Sequence, residues 1–380
     1  MITCLSLYSV DFIDVNNLIG CGDWTEDCAL ECINEGGPIP RLVHFLKLDG
    51  GNFTLREWLS IMSARKFIKP ERIIVYSMIP IPDGCWWRRT LPFVEHHILP
   101  SEAFLKSVNG IQVQHLAHQS DFIRNSLLYH IGGVYSDTDM IMVKSFDDLL
   151  DNHQVVVSRE DSGYIGSALI LARRNSCFMC THAKRACQNY DGWWDSHATV
   201  TLHQIVVEFK GYLRVLLVFP DYMHGFFPYG GSFWHQPYLY ETSMTDLRFN
   251  LSQVYSVHLF NHVSAVNQKK YLQHYDWIVS SPTPVAAAIR NMLPPWFDAT
   301  YFDDTECIDL PEEELIRPTP PMFVLEGTLT PPTTIYKTSR SLSLLLPLRS
   351  LIFLKEIVPW VCGFLIMLVI LIAVTKLILH

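Results

Sequence analysis

Asp121-Phe122-Ile123-Arg124 and, a short way downstream, Gly132-Gly133-Val134-Tyr135-Ser136-Asp137-Thr138-Asp139 are the residues that decide the fold of this chain. The two glycines predict the end of a helix, because glycine readily adopts the left-handed conformation that closes a last helical turn. A short apolar strand follows, and two aspartates stand at its end, where open α/β sheets place ligands. We expect Asp137 and Asp139 to lie on a turn that brings both carboxylates onto one divalent cation. The stretch therefore predicts a strand-end metal site.

The region from Asp121 to Asp148 resembles the DxD sugar-binding region of glycosyltransferase family 32. That resemblance is carried by Asp121, Arg124, Gly132-Gly133, Tyr135 and Asp137-Thr138-Asp139. Two shorter segments agree with it in chain order, since residues 39–45 resemble the opening strand of the family and residues 257–264 its closing metal-side segment. The family includes α-mannosyltransferases and α1,4-galactosyl- and N-acetylglucosaminyltransferases. The resemblance implies a GT-A-like catalytic domain, which is a Rossmann-like α/β fold.

The resemblance also implies a role for each site residue. Asp121 and Arg124 would hold hydroxyls of the donor sugar, Asp137 would contact the donor ribose and the metal, and Asp139 would bind the metal directly. His258 and Asn261 would complete the metal shell: Asp137, Asp139, His258, Asn261. Oxygen-rich ligation suits Mn²⁺ or Mg²⁺. Two plainer interpretations stay open, because an Asp/Arg pair three apart on a helix can be a surface ion pair and a histidine after a strand can be structural.

The activity implied by the resemblance is a metal-dependent, retaining transfer of a hexose or N-acetylhexosamine from a nucleotide sugar to a glycan or glycolipid hydroxyl. No residue is nominated as a covalent nucleophile. Two alternatives remain. One is a catalytically silent, membrane-anchored GT-A-like protein, favoured by Ser167 in place of the family's asparagine and by the segment His197–Thr201 in place of its Gly-Pro motif. The other is a phosphatase that uses Asp-x-Asp after a strand, which would require the motif near the N-terminus.

Composition is compatible with an enzyme and argues against a nucleic-acid partner. The chain has 380 residues, of which 49% are hydrophobic and 18% charged, so it can bury a large core. Its net charge of −9 offers no basic surface to displace phosphate counterions.

Apolar runs with strand and helix periods alternate along the chain. The predicted strands are 39–48, 72–77, 134–143, 154–158, 164–171, 214–219 and 254–260, and the predicted helices are 54–68, 111–130, 176–189 and 199–209. Such alternation predicts a mostly parallel sheet with helices on both faces. We expect an N-terminal extension at 1–37, a catalytic domain at 38–310, a proline-rich stalk at 311–356 and a transmembrane helix at 357–378.

The C-terminal segment predicts single-pass membrane attachment. Residues 357–375 carry no charge and are long enough to cross the hydrocarbon core as a helix. Basic residues are more numerous on its upstream side, which places that side in the cytosol by charge bias, whereas the family resemblance implies a catalytic domain in the Golgi or endomembrane lumen. The side that the domain faces stays open.

Cysteines and tryptophans leave further alternatives. The ten cysteines include a cluster at Cys21, Cys28 and Cys32, in which a disulfide is possible, and a second group at Cys177, Cys180 and Cys187. Disulfides or buried thiols are favoured over zinc, since the paired ligand spacing of zinc sites is missing. Two tryptophan pairs, Trp86-Trp87 and Trp193-Trp194, favour core or rim packing over stacking on an acceptor sugar.

Overall fold

The computed structural model describes residue 21, residues 37–159, 165–209 and 215–218, residues 240 and 243, and residues 254–295, 297–302 and 307. In these ranges the chain forms one seven-stranded sheet and two small two-stranded sheets. Helices cover both faces of the large sheet, and each face has its own apolar cluster. The predicted α/β class is confirmed.

The strand order of the large sheet places the carboxyl ends of several strands at one edge. The strands are β1 Leu42–Lys47, β2 Arg72–Ser77, β3 Glu95–Ile98, β4 Ser107–Val108, β5 Ile111–Gln112, β6 Gly133–Ser136, β7 Met140–Met142, β8 Val155–Arg159, β9 Ile165–Ala172, β10 Val215–Val218 and β11 Ser256–His258. The large sheet has the order β10-β8-β9-β6-β1-β2-β3. Its neighbours are parallel except where β9 pairs with β6 and β8. The carboxyl ends of β6, β1, β2 and β3 therefore meet at one edge.

The helices connect these strands and then close one face of the sheet. They are α1 Leu55–Phe67, α2 Cys85–Thr90, α3 Leu116–His130, α4 Asp147–Asn152, α5 Cys177–Gln188, α6 Thr201–Phe209, α7 Asn261–Tyr271, α8 Tyr275–Ser280, α9 Pro284–Met292 and α10 Ala299–Phe302. A π-helix, Ser196–Val200, leads directly into α6.

Residues of β1 show how the sheet is buried on both sides. Val43 and Phe45 pack with Trp58 of α1 on one face. Leu46 packs with Ile123 of α3 on the other face. All six residues of β1 are buried, as expected for a parallel strand covered by helices on each side.

Several predicted boundaries differ from the observed elements. The predicted strand 134–143 is two strands, β6 and β7, because the Asp137-Thr138-Asp139 turn interrupts it. The predicted helix 111–130 begins only at Leu116, since residues 111–112 form β5 and pair with β4. The short elements α2, β3 and α4 were not predicted, because a period cannot be recognised over four to six residues.

Disulfides link distant parts of the chain. Cys21 pairs with Cys187 of α5, and Cys85 of α2 pairs with Cys307. Cys177 and Cys180 are also disulfide-bonded. The preference for disulfides or thiols over zinc is thus confirmed for the described cysteines. A pairing of Cys21 within its own cluster is wrong, because its sulfur is bonded to Cys187; Cys28 and Cys32 lie outside the described residues.

Among the described residues, no helix combines the length and apolarity that a membrane crossing requires. The predicted stalk at 311–356 and the predicted transmembrane helix at 357–378 lie outside the described residues, as does the N-terminal extension apart from residues 21 and 37.

Candidate active site

The two aspartates lie on a turn that follows β6. The backbone N–H of Asp137 donates to the carbonyl of Ala168 on β9 at 2.8 Å, which continues the ladder by one residue. The N–H of Met140 then donates to the carbonyl of Asp137 at 3.3 Å and closes the turn. The predicted turn is present, and one carboxylate oxygen of Asp137 lies within 4.8 Å of one of Asp139, close enough for both to bind a single cation.

A second strand places a histidine beside this turn. β11 pairs with β7 in antiparallel register, so that His258 lies opposite Met140, and the N–H of Leu259 donates to the carbonyl of Asp139 at 2.9 Å. Nε2 of His258 is 3.3 Å from Oδ1 of Asp139. The ring of Phe260 stacks on the imidazole at 3.8 Å between centroids, and Phe260 has a φ of 50°, a left-handed conformation that non-glycine residues seldom adopt.

Asp137, Asp139 and His258 could together hold a metal ion. One ligand atom from each lies within 4.8 Å of the others. Two carboxylates and one imidazole form a mixed oxygen and nitrogen donor set that fits Mn²⁺ and accommodates Mg²⁺ through its oxygens. The fourth ligand predicted from the sequence, Asn261, is the first residue of α7, and its side chain lies outside the described part of the structure.

Arg124 joins the helix to the turn. Its guanidinium Nη2 is 3.2 Å from Oδ1 of Asp121 and 3.4 Å from Oδ1 of Asp137. Asp121 is 7% exposed and Arg124 is 5% exposed, so the alternative of an ordinary surface ion pair is wrong. A buried cation between two carboxylates organises the site, because removing Arg124 would take away the positive charge that both carboxylates face.

Further hydrogen bonds fix the direction of this guanidinium. Nη1 of Arg124 donates to the carbonyl of Ser167 at 2.5 Å, and Nη2 donates to Oγ of Ser120 at 3.1 Å. The ring of Tyr135 lies 4.4 Å from the guanidinium carbon, and the Tyr135 hydroxyl donates to Oδ1 of Asp137 at 2.5 Å. Ser167 thus contributes its backbone carbonyl, whatever its side chain.

The two carboxylates next to Arg124 differ electrostatically. Burial opposes ionisation of Asp121, but Arg124 and the hydrogen bond from His197 prevail and hold its pKa below the usual value. Burial, together with the charge of Asp139, raises the pKa of Asp137 in spite of Arg124. A bound cation would counter both the burial of Asp137 and its repulsion by Asp139. Positive charge at this position would therefore stabilise the ionised carboxylate of Asp137.

His197 is a site residue that the sequence did not reveal. Its Nε2 donates to Oδ2 of Asp121 at 2.9 Å, and the imidazole is fully buried on the π-helix. His118 and His182 are buried nearby, and burial lowers their pKa values to about 4 and about 3. The sequence offered only an Asp and a His separated by 76 residues, with no motif to connect them.

The two glycines of the Gly-Gly pair have different roles: Gly132 ends a helix, and Gly133 leaves room for a neighbouring strand. Gly132 has a φ of 74°, and its N–H donates to the carbonyl of Leu128 at 3.1 Å, which ends α3 as predicted. Gly133 has a φ of 108°, and a Cβ there would lie 2.5 Å from the carbonyl oxygen of Leu42 on β1. The close approach of β6 to β1 therefore depends on the second glycine.

Comparison with known proteins agrees with this site. Residues 90–156 match the family described as a glycosyltransferase sugar-binding region containing a DXD motif, and they include the Asp121–Asp139 segment. The chain is also 27% identical over 172 residues to glucan organizing enzyme 1 of Cryptococcus neoformans var. grubii, which covers 42% of this chain and 45% of that protein. The resemblance recognised in the sequence is confirmed over residues 90–156. The chain spans less than half of the length of this curated relative.

Solved structures of two glycosyltransferases show a distant likeness. One is the PaToxG glycosyltransferase, with a TM-score of 0.35 and 18% identity, covering 45% of this chain and 70% of that one. Another is the apo form of GlyE from Streptococcus pneumoniae, with a TM-score of 0.32 and 11% identity, covering 48% of this chain and 46% of that one.

Proposed function

We propose that the chain is a metal-dependent glycosyltransferase that moves a hexose or N-acetylhexosamine from a nucleotide sugar to a hydroxyl of a glycan or glycolipid, with retention of anomeric configuration. The observation that carries the proposal is the continuous charged chain from Asp121 through Arg124 to Asp137, which adjoins the group formed by Asp137, Asp139 and His258. A sugar-nucleotide donor carries hydroxyls at one end and a pyrophosphate at the other. The site offers hydrogen-bonding groups for the first and negative ligands for a cation that binds the second.

Each residue has a distinct task in this proposal. Asp121, which is ionised and oriented by Arg124 and His197, accepts hydrogen bonds from donor hydroxyls. Arg124 fixes the carboxylates on both sides of it. Asp137, Asp139 and His258 hold the divalent cation, and Asn261 at the start of α7 is proposed as a further ligand. When bound, Mn²⁺ or Mg²⁺ would neutralise the charge that develops on the departing nucleoside diphosphate.

Burial makes these charges effective. Asp121, Arg124, Asp139 and His258 are all less than a tenth exposed, so charges fixed there interact more strongly than they would in bulk water. The orientation of the Arg124 guanidinium is also fixed before any substrate binds, because it donates hydrogen bonds to Oγ of Ser120 and to the carbonyl of Ser167. Preorganised charge of this kind lowers the barrier to departure of an anionic leaving group without reorganisation during the reaction.

A donor panel tests the proposal. The purified protein is incubated with UDP-glucose, UDP-galactose, UDP-N-acetylglucosamine and GDP-mannose, and release of nucleoside diphosphate is measured with Mn²⁺ and with EDTA. We expect release from at least one donor that depends on the metal. The control is Asp83→Asn, which changes an exposed carboxylate that is 79% accessible and should leave release unchanged. Absence of release from every donor by folded protein would support the catalytically silent alternative.

We also propose that the domain works on the lumenal side of an endomembrane, such as the Golgi, attached by the stalk at 311–356 and the membrane helix at 357–378. The support for the compartment is the set of disulfides that involve Cys21, Cys85, Cys177 and Cys180, since such bonds persist in oxidising surroundings. This observation favours the lumenal alternative over the orientation suggested by the basic residues upstream of the membrane segment. The support for attachment is the uncharged run at the C-terminus.

A further inference from the structure

Trp193 and Trp194 are exposed to solvent, at 74% and 52%. The other tryptophan pair, Trp86-Trp87, is buried at 5% for each residue, so the preference for core or rim packing is confirmed there, whereas Trp193-Trp194 does not belong to the core. Two adjacent exposed indoles leave a large apolar surface in water, which is unfavourable unless a ligand or partner covers it. We name this pair the tryptophan platform.

The loop that carries the tryptophan platform is firmly anchored. Tyr190 is buried, and its hydroxyl is 3.0 Å from Nδ1 of His118. Gly192 has a φ of 81°, and a Cβ there would meet Ile111 at 3.3 Å. The N–H of Trp193 donates to Oδ1 of Asp191 at 3.0 Å. The indoles are therefore presented from a fixed backbone, so a ligand that binds them does not have to order the loop.

A short series of ring contacts connects the tryptophan platform to the donor-sugar residues. The ring of Trp194 is 5.7 Å from that of His118, which is 4.6 Å from the ring of His197. His197 in turn donates to Asp121. The platform thus lies beside the end of the site where the sugar is expected, and not on a remote surface.

We propose that the tryptophan platform binds the acceptor as a neutral oligosaccharide, whose pyranose rings stack on the two indoles. This inference rests on the proposed function. Indoles suit the apolar C–H faces of sugars, and sugar hydroxyls can donate to the carboxylates of Asp191 and Asp195 on either side of the pair. The same carboxylates disfavour an anionic acceptor, because like charges repel. The site in question is a binding surface for the second substrate, separate from the metal-binding group.

Binding can be measured without relying on catalysis. Saturation-transfer difference NMR with the full-length protein reports contact with laminaritetraose, cellotetraose, mannotetraose or lactose through the protons of the sugar itself. Laminaritetraose is included because the curated relative is named for glucan organisation. We expect a signal from at least one of these sugars, and a decrease of about tenfold in apparent affinity for Trp193→Ala/Trp194→Ala, as for loss of central aromatic anchors in an interface.

Three controls make the result decisive. Trp277→Phe changes a half-buried tryptophan of a separate aromatic group and should bind the sugar normally. Trp193→Phe/Trp194→Phe keeps an aromatic face at each position and should recover part of the binding. Circular dichroism melting shows whether the double alanine variant is folded, and Trp193→Ala alone replaces it if it is not.

The outcomes separate this inference from the proposed function. Equal sugar binding by the wild type and the alanine variant, or no binding of any of the four sugars, overturns the acceptor platform. A wild-type dimer that dissociates in the alanine variant, without sugar binding, would assign the surface to a second copy of the chain. If nucleoside diphosphate is released from a donor in a metal-dependent way but no sugar binds, the proposed function stands and the acceptor platform does not. If a sugar binds but no nucleoside diphosphate is released, only the platform stands.

Discussion

Asp139 is the residue on which the metal requirement can be tested most directly. Its replacement by asparagine keeps the size of the side chain and removes one negative charge from the group it forms with Asp137 and His258. We predict that donor turnover by Asp139→Asn falls by at least about a hundredfold, as on loss of a major electrostatic stabiliser. Turnover is measured by nucleoside diphosphate release over a range of Mn²⁺ concentrations. Near-normal turnover at limiting Mn²⁺ would show that the metal binds elsewhere.

His197 is expected to act by positioning Asp121, since it donates to the oxygen that Arg124 does not hold. We predict that His197→Ala lowers kcat/KM for the donor by roughly tenfold or more, in the range found for loss of supporting hydrogen bonds around a site. His197→Gln, whose amide can donate to the same carboxylate, should restore much of the activity. Steady-state kinetics on both variants check this.

A purely structural role for His197 would give a different pattern. Both variants would then lose stability in parallel with activity, and glutamine would not rescue kcat/KM at a temperature where each protein is folded. The Mn²⁺ concentration at half-maximal rate should stay the same in either variant, because His197 does not contact the group formed by Asp137, Asp139 and His258.

At the residue scale, local sequence revealed the parts of the site that are close in the chain. Asp121, Arg124, Asp137 and Asp139 lie within one stretch, and the structure brings the first three into one ion-pair chain. His258 was reached only through the family resemblance, and the structure places it beside Asp139 through the pairing of β11 with β7. His197 could not be predicted, because its contact with Asp121 arises from the packing of the π-helix against α3 and no local pattern encodes that distance.

At the element scale, the sharpest constraint is the junction between α3 and β6. We predict that Gly133→Ala destabilises the protein by about 2 to 4 kcal/mol, because a Cβ would overlap the Leu42 carbonyl and the backbone has a positive φ. Gly37→Ala is the matched control, since nothing lies within 4 Å of the position of its Cβ. Urea unfolding followed by fluorescence gives both values. Equal stability of the two variants would contradict this account of the junction.

The buried histidines His182 of α5 and His44 of β1 are expected to make the stability of the protein depend on pH. Burial lowers the pKa of His44 to about 4 and that of His182 to about 3, whereas in the unfolded chain each has a pKa near 6.5. The unfolded state therefore takes up protons first as the pH falls below about 6.5, and stability present at neutral pH is lost toward pH 4. His182 alone would account for roughly 3 kcal/mol of this loss.

The test compares the wild type with His182→Phe, which cannot take up the proton. We predict a smaller decrease in the free energy of unfolding between pH 7 and pH 4 for the variant, even if it is less stable at pH 7. Urea unfolding at a series of pH values measures the slope. Identical slopes would show that His182 is protonated to the same extent in the folded and unfolded states.

Elements with a sustained period were predictable, and those governed by a single turn or pairing were not. Helix α1 and strand β2 lie within one residue of their predicted bounds, because long apolar patterns fix them. The division of residues 134–143 into β6 and β7 depends on the single turn at Asp137-Thr138-Asp139. The π-helix before α6 has no sequence signal, since its wider turn is imposed by neighbours that the local sequence does not contain.

For the whole molecule, catalysis and membrane attachment should be separable. We predict that a chain ending at residue 310, expressed in a secretory host, is obtained without detergent and retains metal-dependent donor hydrolysis, because it keeps Cys307 and the site while omitting the proline-rich and uncharged segments. The full-length protein should stay in membranes during alkaline carbonate extraction. Release of the full-length chain by carbonate, or failure of the shorter chain to fold, would place the C-terminal segment in the domain core.

The compartment can be tested on the same proteins. Asn52 is exposed and begins the sequence Asn52-Phe53-Thr54, which is an acceptor for N-glycosylation. We predict a shift in electrophoretic mobility that peptide N-glycosidase removes and that decreases in Asn52→Gln. Full-length protein without glycan and with reduced thiols at Cys85 and Cys307 would contradict the lumenal proposal.

The bond between Cys85 and Cys307 also affects how the protein must be made. Its two cysteines are 222 residues apart in the sequence. At a synthesis rate of about 5 to 20 residues per second, the ribosome needs on the order of ten to forty-five seconds to reach the second after making the first. During that interval Cys85 is a thiol without its final partner, open to exchange with any cysteine that has already emerged. Correct maturation should therefore depend on a disulfide isomerase acting after the chain is nearly complete, and the yield of active protein should respond to the supply of that enzyme.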